Sequence, residues 1–73
     1  MAIIIFKGWQ VGMKKISFTN LLRDETKISL KEAKEIKDQI MDDGIIEIEI
    51  IDSDIANTIV NEARKLGVIC ELK

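Results

Sequence analysis

The chain has no histidine, no tyrosine and no proline, and it contains one cysteine. Histidine is the side chain that most often acts as a general acid or base near neutral pH, so its absence argues against an enzyme. A single cysteine cannot form an internal disulfide and is typical of a reducing compartment, which predicts a cytoplasmic protein. The sequence also lacks a long apolar run that would predict a membrane span. Its opening residues lack the basic leader of a signal peptide.

The polar residues that are present form no catalytic or metal-binding motif. Asp52 and Asp54 lack the later ligands and the glycine of a calcium loop, and no glycine-rich phosphate loop occurs. The pair Glu47/Glu49 is typical of the solvated face of a strand, and Asp52/Asp54 of a helix N-terminus. Cys70 has glutamates nearby in the predicted sheet, and acidic neighbours raise a thiol pKa. We therefore predict a non-enzymatic protein without a cofactor or a metal.

The chain contains enough apolar and charged sequence for one folded domain. Its 73 residues are 47% hydrophobic and 33% charged, which disfavours disorder and suffices for one small core. The net charge of −2 is uneven, because residues 1–37 carry +4 and residues 38–73 carry −6. This distribution predicts a basic and an acidic side. A pI near 5.0 disfavours nucleic acid as the main partner.

Hydrophobic patterning predicts three strands. Residues 2–7 are an unbroken, largely β-branched run, which is typical of a central strand, and Trp9 to Gly12 are predicted as a loop. Residues 45–51 alternate isoleucine with glutamate, so one face of that strand carries Ile46, Ile48 and Ile50. The inward residues of the last strand are Val68, Cys70 and Leu72.

Capping residues predict two helices. Residues 30–42 follow a capping box that starts at Ser29, and Gly44 can end this helix. A second helix is capped by Ser53 or Asp52 and ends before Gly67. Within residues 13–25, strand alternation would bury Ile16, Phe18 and Leu22. Helical spacing would bury Met13, Ile16 and Leu21, and neither pattern is clean, so both remain open.

The order of these elements predicts the topology. The second and third strands flank a helix of crossover length, so they should run parallel. The apolar first strand fits between them and antiparallel to both. The expected architecture is an α+β fold with a three-stranded sheet, its first strand central, and helices packed on one face.

A likeness to a known family extends from about residue 3 to residue 73. It is carried by Lys15, by Arg23, by the pentapeptide Leu30-Lys31-Glu32-Ala33-Lys34 and by the closing stretch 62–73. These residues resemble the C-terminal domain of the bacterial large-subunit ribosomal stalk protein. The resemblance implies the fold β-α-α-β-α-β, with residues 13–25 as a helix and residues 1–73 as one domain.

The resemblance also implies a protein-binding function. In that family the corresponding face contacts elongation factors G and Tu and related translational GTPases. The resemblance implies that such a protein partner docks onto the helical hairpin of this chain. The residues it implies for the contact are Lys15, Arg23, Leu30, Lys31 and Lys34. The residues alone leave open that these lysines are an ordinary solvated helix face.

Several features differ from the family. Lys27 and Ser29 replace glycines in its turn between the first two helices, and Asn20 replaces a lysine of its binding face. The dimerisation domain and hinge of a stalk protein have no counterpart here, so we expect this chain not to replace that protein. Two rival functions remain: an acidic immunity or inhibitor protein that neutralises a toxin or nuclease through its acidic face, and a protease-adaptor-like module.

Two further features have open interpretations. The sheet face opposite the helices should carry Glu47, Glu49 and Glu71 beside isoleucines. This face is either a second contact surface, a homodimer interface or an ordinary half-exposed sheet. We accordingly expect a monomer or a weak homodimer. Trp9 either covers the edge of the core or serves as an aromatic anchor for a partner.

Overall fold

The computed structural model describes residues 2–42 and 44–73, with the element order β-α-α-β-α-β. The strands are β1 (Ala2–Trp9), β2 (Ile46–Ile50) and β3 (Val68–Leu72), and the helices are α1 (Lys15–Thr26), α2 (Leu30–Met41) and α3 (Ser53–Lys65). The predicted α+β fold is confirmed. The segment whose pattern was ambiguous is the helix α1, as the resemblance implied.

The sheet has the strand order β2-β1-β3, and β1 is antiparallel to both neighbours. The predicted central position of β1 is confirmed. Two backbone partners are possible only for a central strand, and the apolar residues of β1 allow it to lie in the middle of the sheet. The helix-facing side of β2 carries Ile46, Ile48 and Ile50, as its alternation predicts.

The core lies between the sheet and the three helices. Phe6 from β1 and Phe18 from α1 meet at its centre, with ring centroids 5.6 Å apart and ring planes at 72°. This edge-to-face arrangement is favoured because the positive ring edge meets the negative ring face. The largest fully buried side chains are Phe6, Phe18, Ile4, Leu22, Ile40 and Ile59.

A β-bulge interrupts the pairing of β1 with β3. Phe6 pairs with Cys70, but the next paired residue is Gly8, which pairs with Ile69. Lys7 and Gly8 therefore together oppose one residue of β3. Side chains alternate between the two faces with a period of two, so the additional residue reverses the alternation beyond it.

The bulge places Trp9 on the helix side of the sheet. Trp9 is the last residue of β1 and pairs with the buried Val68, so the predicted loop starting at Trp9 is wrong at that residue. Its indole is half-buried against the core, and Nε1–H donates a hydrogen bond of 3.2 Å to the carbonyl oxygen of Met41 at the end of α2. These contacts match the interpretation that Trp9 covers the edge of the core.

The helix caps form largely as the sequence predicts. Ser29 Oγ accepts a hydrogen bond of 3.1 Å from the Glu32 backbone N–H at the start of α2. Of the two candidate caps of α3, Asp52 is the one used, and its Oδ1 accepts bonds from the N–H groups of Asp54 and Ile55. The Gly44 N–H donates a bond of 2.9 Å back to the α2 carbonyl of Gln39.

The turn between α1 and α2 contains a residue with a strained backbone conformation. Lys27 ends α1 with φ 61° and ψ 18°, and it is the only non-glycine residue with positive φ in the described ranges 2–42 and 44–73. A Cβ atom in this left-handed conformation crowds the following carbonyl oxygen, which costs roughly 1–2 kcal/mol. Its N–H donates a bond of 3.0 Å to the Arg23 carbonyl, so the cap keeps its geometry despite the cost.

We expect Lys27→Gly to raise the free energy of unfolding by about 1 kcal/mol, because glycine adopts this conformation without a Cβ clash but has more unfolded-state entropy. Urea unfolding followed by circular dichroism measures the change. Lys27→Ala is the matched control, since it removes the same charge and keeps the Cβ atom. Equal stability of the two variants would contradict the backbone explanation.

Candidate protein-binding site

The two helices of the N-terminal hairpin enclose a shallow depression, which we call the hairpin groove. It lies between α1 and α2 and has a volume of about 150 Å³. Its lining comes from both helices: Lys15, Ile16, Thr19, Asn20, Leu30, Lys34 and Lys37. A depression of this size accommodates a side chain of a partner rather than a complete small-molecule ligand.

The apolar part of the hairpin groove consists of two exposed side chains. Ile16 is 80% exposed and Leu30 is 42% exposed. The sequence patterns used Ile16 as a candidate core residue in either a strand or a helix, and that assignment is wrong. The core side of α1 is formed by Phe18, Thr19 and Leu22. Ile16 lies two residues before Phe18, about 200° away around the helix, and therefore points outwards.

Three lysines surround these apolar side chains. Lys15 comes from the first turn of α1, and Lys34 and Lys37 come from successive turns of α2. Lys37 is partly covered and its Nζ lies 2.7 Å from Asp38 Oδ1, which neutralises part of its charge. Lys15 and Lys34 are both exposed. The groove therefore combines an apolar centre with a basic edge.

The hairpin groove contains three of the five residues that the resemblance implied. Lys15, Leu30 and Lys34 line it, whereas Arg23 and Lys31 are exposed on the same hairpin but outside its lining. Arg23 is eight residues beyond Lys15, which is about 12 Å along the helix axis. Sequence reasoning did not assign Ile16 and Lys37 to the site, because their convergence depends on how α1 packs against α2.

The start of α1 lacks the features that usually stabilise a helix N-terminus. Lys14 is the N-cap and makes no side-chain capping hydrogen bond, and the first turn contains no acidic residue. Lys14 and Lys15 instead place positive charge at the positive end of the helix dipole, an arrangement that costs about 0.3–1 kcal/mol per charge. Local stability rules are broken most often at functional surfaces.

The sheet face opposite the helices is partly covered by ion pairs. Ile3 and Ile5 of β1 are half-buried there, although no described helix packs on this face. Lys7 Nζ lies 2.8 Å from Glu71 Oε1, and Lys73 Nζ lies 3.2 Å from Glu47 Oε2. Lys73 follows β3 and Glu47 belongs to β2, so their contact crosses the central strand. The expectation of a monomer or weak homodimer stays a prediction.

Cys70 is buried, and its environment differs from the predicted one. Its side chain lies on the helix side of the sheet, with Sγ 3.7 Å from the Val60 carbonyl oxygen as a hydrogen-bond donor. Burial raises the pKa of the thiol, and the nearby Arg64 guanidinium opposes this shift. The explanation from acidic neighbours is therefore wrong, because Glu47 and Glu71 lie on the other face. The direction of the pKa shift still disfavours a reactive thiolate.

The rest of the described chain offers no metal site or membrane span. Within residues 2–42 and 44–73, no group of three or more His, Cys, Asp or Glu side chains is arranged to hold a metal ion. In the same ranges no helix has the length and apolar character needed to cross a membrane.

Comparison with known proteins gives no match: no family model, no curated protein and no solved structure is significantly similar to this chain.

Proposed function

We propose that this chain is a non-enzymatic binding domain that docks onto a protein partner through the hairpin groove. The observation that carries the proposal is the position of Ile16, an 80% exposed isoleucine beside the half-covered Leu30. Lysines from both helices surround this apolar centre. Apolar centres with charged rims are the usual composition of protein-binding surfaces.

The unfavourable start of α1 supports the same surface. A serine or aspartate at Lys14 would cap the helix, and an acidic residue at Lys15 would complement its dipole. The chain has lysines at both positions and receives no capping bond there. A basic edge on the groove accounts for this arrangement, because a lysine that serves binding is retained despite a cost in stability.

The groove favours a partner segment that combines an apolar side chain with carboxylates. The apolar side chain would contact Ile16 and Leu30, and the carboxylates would approach Lys15 and Lys34. Translational GTPases are the proposed partners, on the resemblance of the hairpin to the ribosomal stalk domain. A cytoplasmic location fits such partners and is part of the proposal.

A pair of charge reversals within the groove tests the proposal. We expect Lys15→Glu/Lys34→Glu to weaken binding to purified elongation factor G or Tu about tenfold, because two rim attractions become repulsions. Biolayer interferometry at physiological ionic strength measures the dissociation constant. Circular dichroism verifies that each variant is folded.

A matched control is Lys65→Glu/Lys73→Glu. This variant changes the net charge by the same amount at two exposed positions outside the helical hairpin. We expect it to weaken binding less than about threefold. Equal weakening by both variants contradicts the groove as the docking site. Absence of binding by the unmodified chain to either factor contradicts the choice of translational GTPases.

A further inference from the structure

A second groove of opposite charge lies at the other end of the helical layer, and we call it the acidic groove. It has a volume of about 430 Å³ and is formed by the end of α1, the start of α2, the strand β2 and the start of α3. Its apolar floor consists of Leu22, Ile28, Ile36, Ile48, Ile50 and Ile55. It is larger than the hairpin groove and shares no lining residue with it.

The rim of the acidic groove carries charge of one sign. Its charged lining residues are Glu25, Glu32, Glu49 and Asp52, and no lysine or arginine lines the groove. Among the described residues, none of these four carboxylates takes part in an ion pair. Carboxylates around an apolar floor attract a ligand that carries both cations and apolar groups.

The lining also locates the groove at the free edge of the sheet. Ile48 and Glu49 are neighbours in β2, so their side chains lie on opposite faces of the sheet. A groove lined by both must extend around the edge of β2 rather than over one face. This edge faces away from β1, and no described strand pairs with it. Unpaired N–H and C=O groups along an edge strand are a template for a further strand.

The ends of β2 extend this surface. Ile51 follows the strand, lines the groove and is 84% exposed, and Ile45 precedes the strand and is 73% exposed. Here exposed isoleucines flank the edge strand on both sides, so the whole edge from Ile45 to Ile51 can contact an apolar ligand.

We propose that the acidic groove binds an extended segment of a partner protein in which basic and apolar residues alternate. The segment pairs with the free edge of β2 through its backbone. Its apolar side chains point to the floor at Ile48 and Ile50, and its lysines or arginines point to the opposite face of the sheet, where they approach Glu49. The alternation follows from the period of two in a strand. This site shares no lining residue with the hairpin groove, so each of the two proposals can be wrong without affecting the other.

A synthetic peptide tests the proposal with the full chain. The probe is a blocked peptide of about eight residues, the length of an ordinary strand, in which valine and lysine alternate. We expect it to shift the backbone amide NMR signals of Ile46–Ile50 and to bind with a measurable dissociation constant. A peptide of the same composition with its valines and lysines in two blocks should bind at least about fivefold more weakly. Its valines cannot all contact the apolar floor while its lysines contact the carboxylates of the rim.

Two variants separate the groove from the general negative charge of the chain. We expect Glu49→Lys to weaken binding of the alternating peptide about fivefold, because an attraction becomes a repulsion. The control Glu35→Lys changes the net charge by the same amount at an exposed position outside the groove and should change binding less than about twofold. Equal weakening by the two variants, or equal binding of the block peptide, overturns the proposal.

Backbone pairing has its own test. N-methylation of alternate peptide residues on the edge that faces β2 removes the donors needed for a ladder, so we expect binding to be lost. Unchanged binding of the methylated peptide overturns the added-strand arrangement. Concentration-dependent self-association that protects the Ile46–Ile50 amides without any peptide assigns the edge to a second copy of the chain and likewise overturns the proposal.

Discussion

Replacement of Phe6 by alanine is expected to lower the free energy of unfolding by about 3–5 kcal/mol, which is comparable to the total stability of a domain of this size. Phe6 is fully buried in the central strand and contacts the Phe18 ring. Its removal therefore leaves a cavity between the sheet and α1 and breaks the aromatic pair at the same time. We expect most molecules to be unfolded at 25 °C without denaturant.

Urea unfolding followed by circular dichroism and by Trp9 fluorescence measures this effect. The matched control is Phe6→Leu, which retains most of the volume and should cost less than about 1.5–2 kcal/mol. The prediction is wrong if the alanine variant unfolds at nearly the same urea concentration as the unmodified chain.

We expect Gly67→Ala to lower the free energy of unfolding by about 2–4 kcal/mol. Gly67 has φ 93°, and a Cβ atom there would lie 3.0 Å from Met13 Cα and 3.4 Å from Met13 N. Backbone atoms cannot move aside as a flexible side chain can. The turn is also held to the connection between β1 and α1, because the Gln10 N–H donates a bond of 2.8 Å to the Gly67 carbonyl oxygen.

Gly12→Ala separates the two contributions to this cost. Gly12 has nearly the same φ, 92°, but a Cβ atom at Gly12 would meet nothing within 4 Å. We expect this control to lose only the conformational contribution of about 1–2 kcal/mol. Chemical unfolding of both variants measures the difference. If they lose the same stability, close contact with Met13 is not the reason that position 67 requires glycine.

The features that sequence predicts well are those whose cause lies within a few residues. The isoleucine–glutamate alternation of β2 fixes which face is buried, and the caps at Ser29 and Asp52 need only the next turn of helix. The central position of β1 also follows from its own composition. These local patterns agree with one another, which is why the strand order is predictable without any distance information.

The features that sequence misses depend on residues distant along the chain. The bulge that carries Trp9 to the helix side arises where β1 meets Ile69, and the one local signal for it is Gly8, because an isolated glycine in a strand is typical of a bulge. Ile16 has the composition of a core residue, and only the packing of Phe18 and Leu22 turns it outwards. The acidic groove combines residues of four elements, so no single stretch of sequence indicates it.

The bulge in β1 allows Phe6 and Trp9, which are three residues apart, to lie on the same side of the sheet. Straightening of the bulge without any change in length would turn the indole to the side that carries Lys73 and Glu47, and its hydrogen bond to Met41 would be lost. Deletion of one residue between Phe6 and Trp9 would remove the bulge and leave a spacing of two, so the indole would stay on the helix side. Natural variation in the length of this strand by one residue should therefore occur together with loss of the bulge, and the tryptophan should be retained.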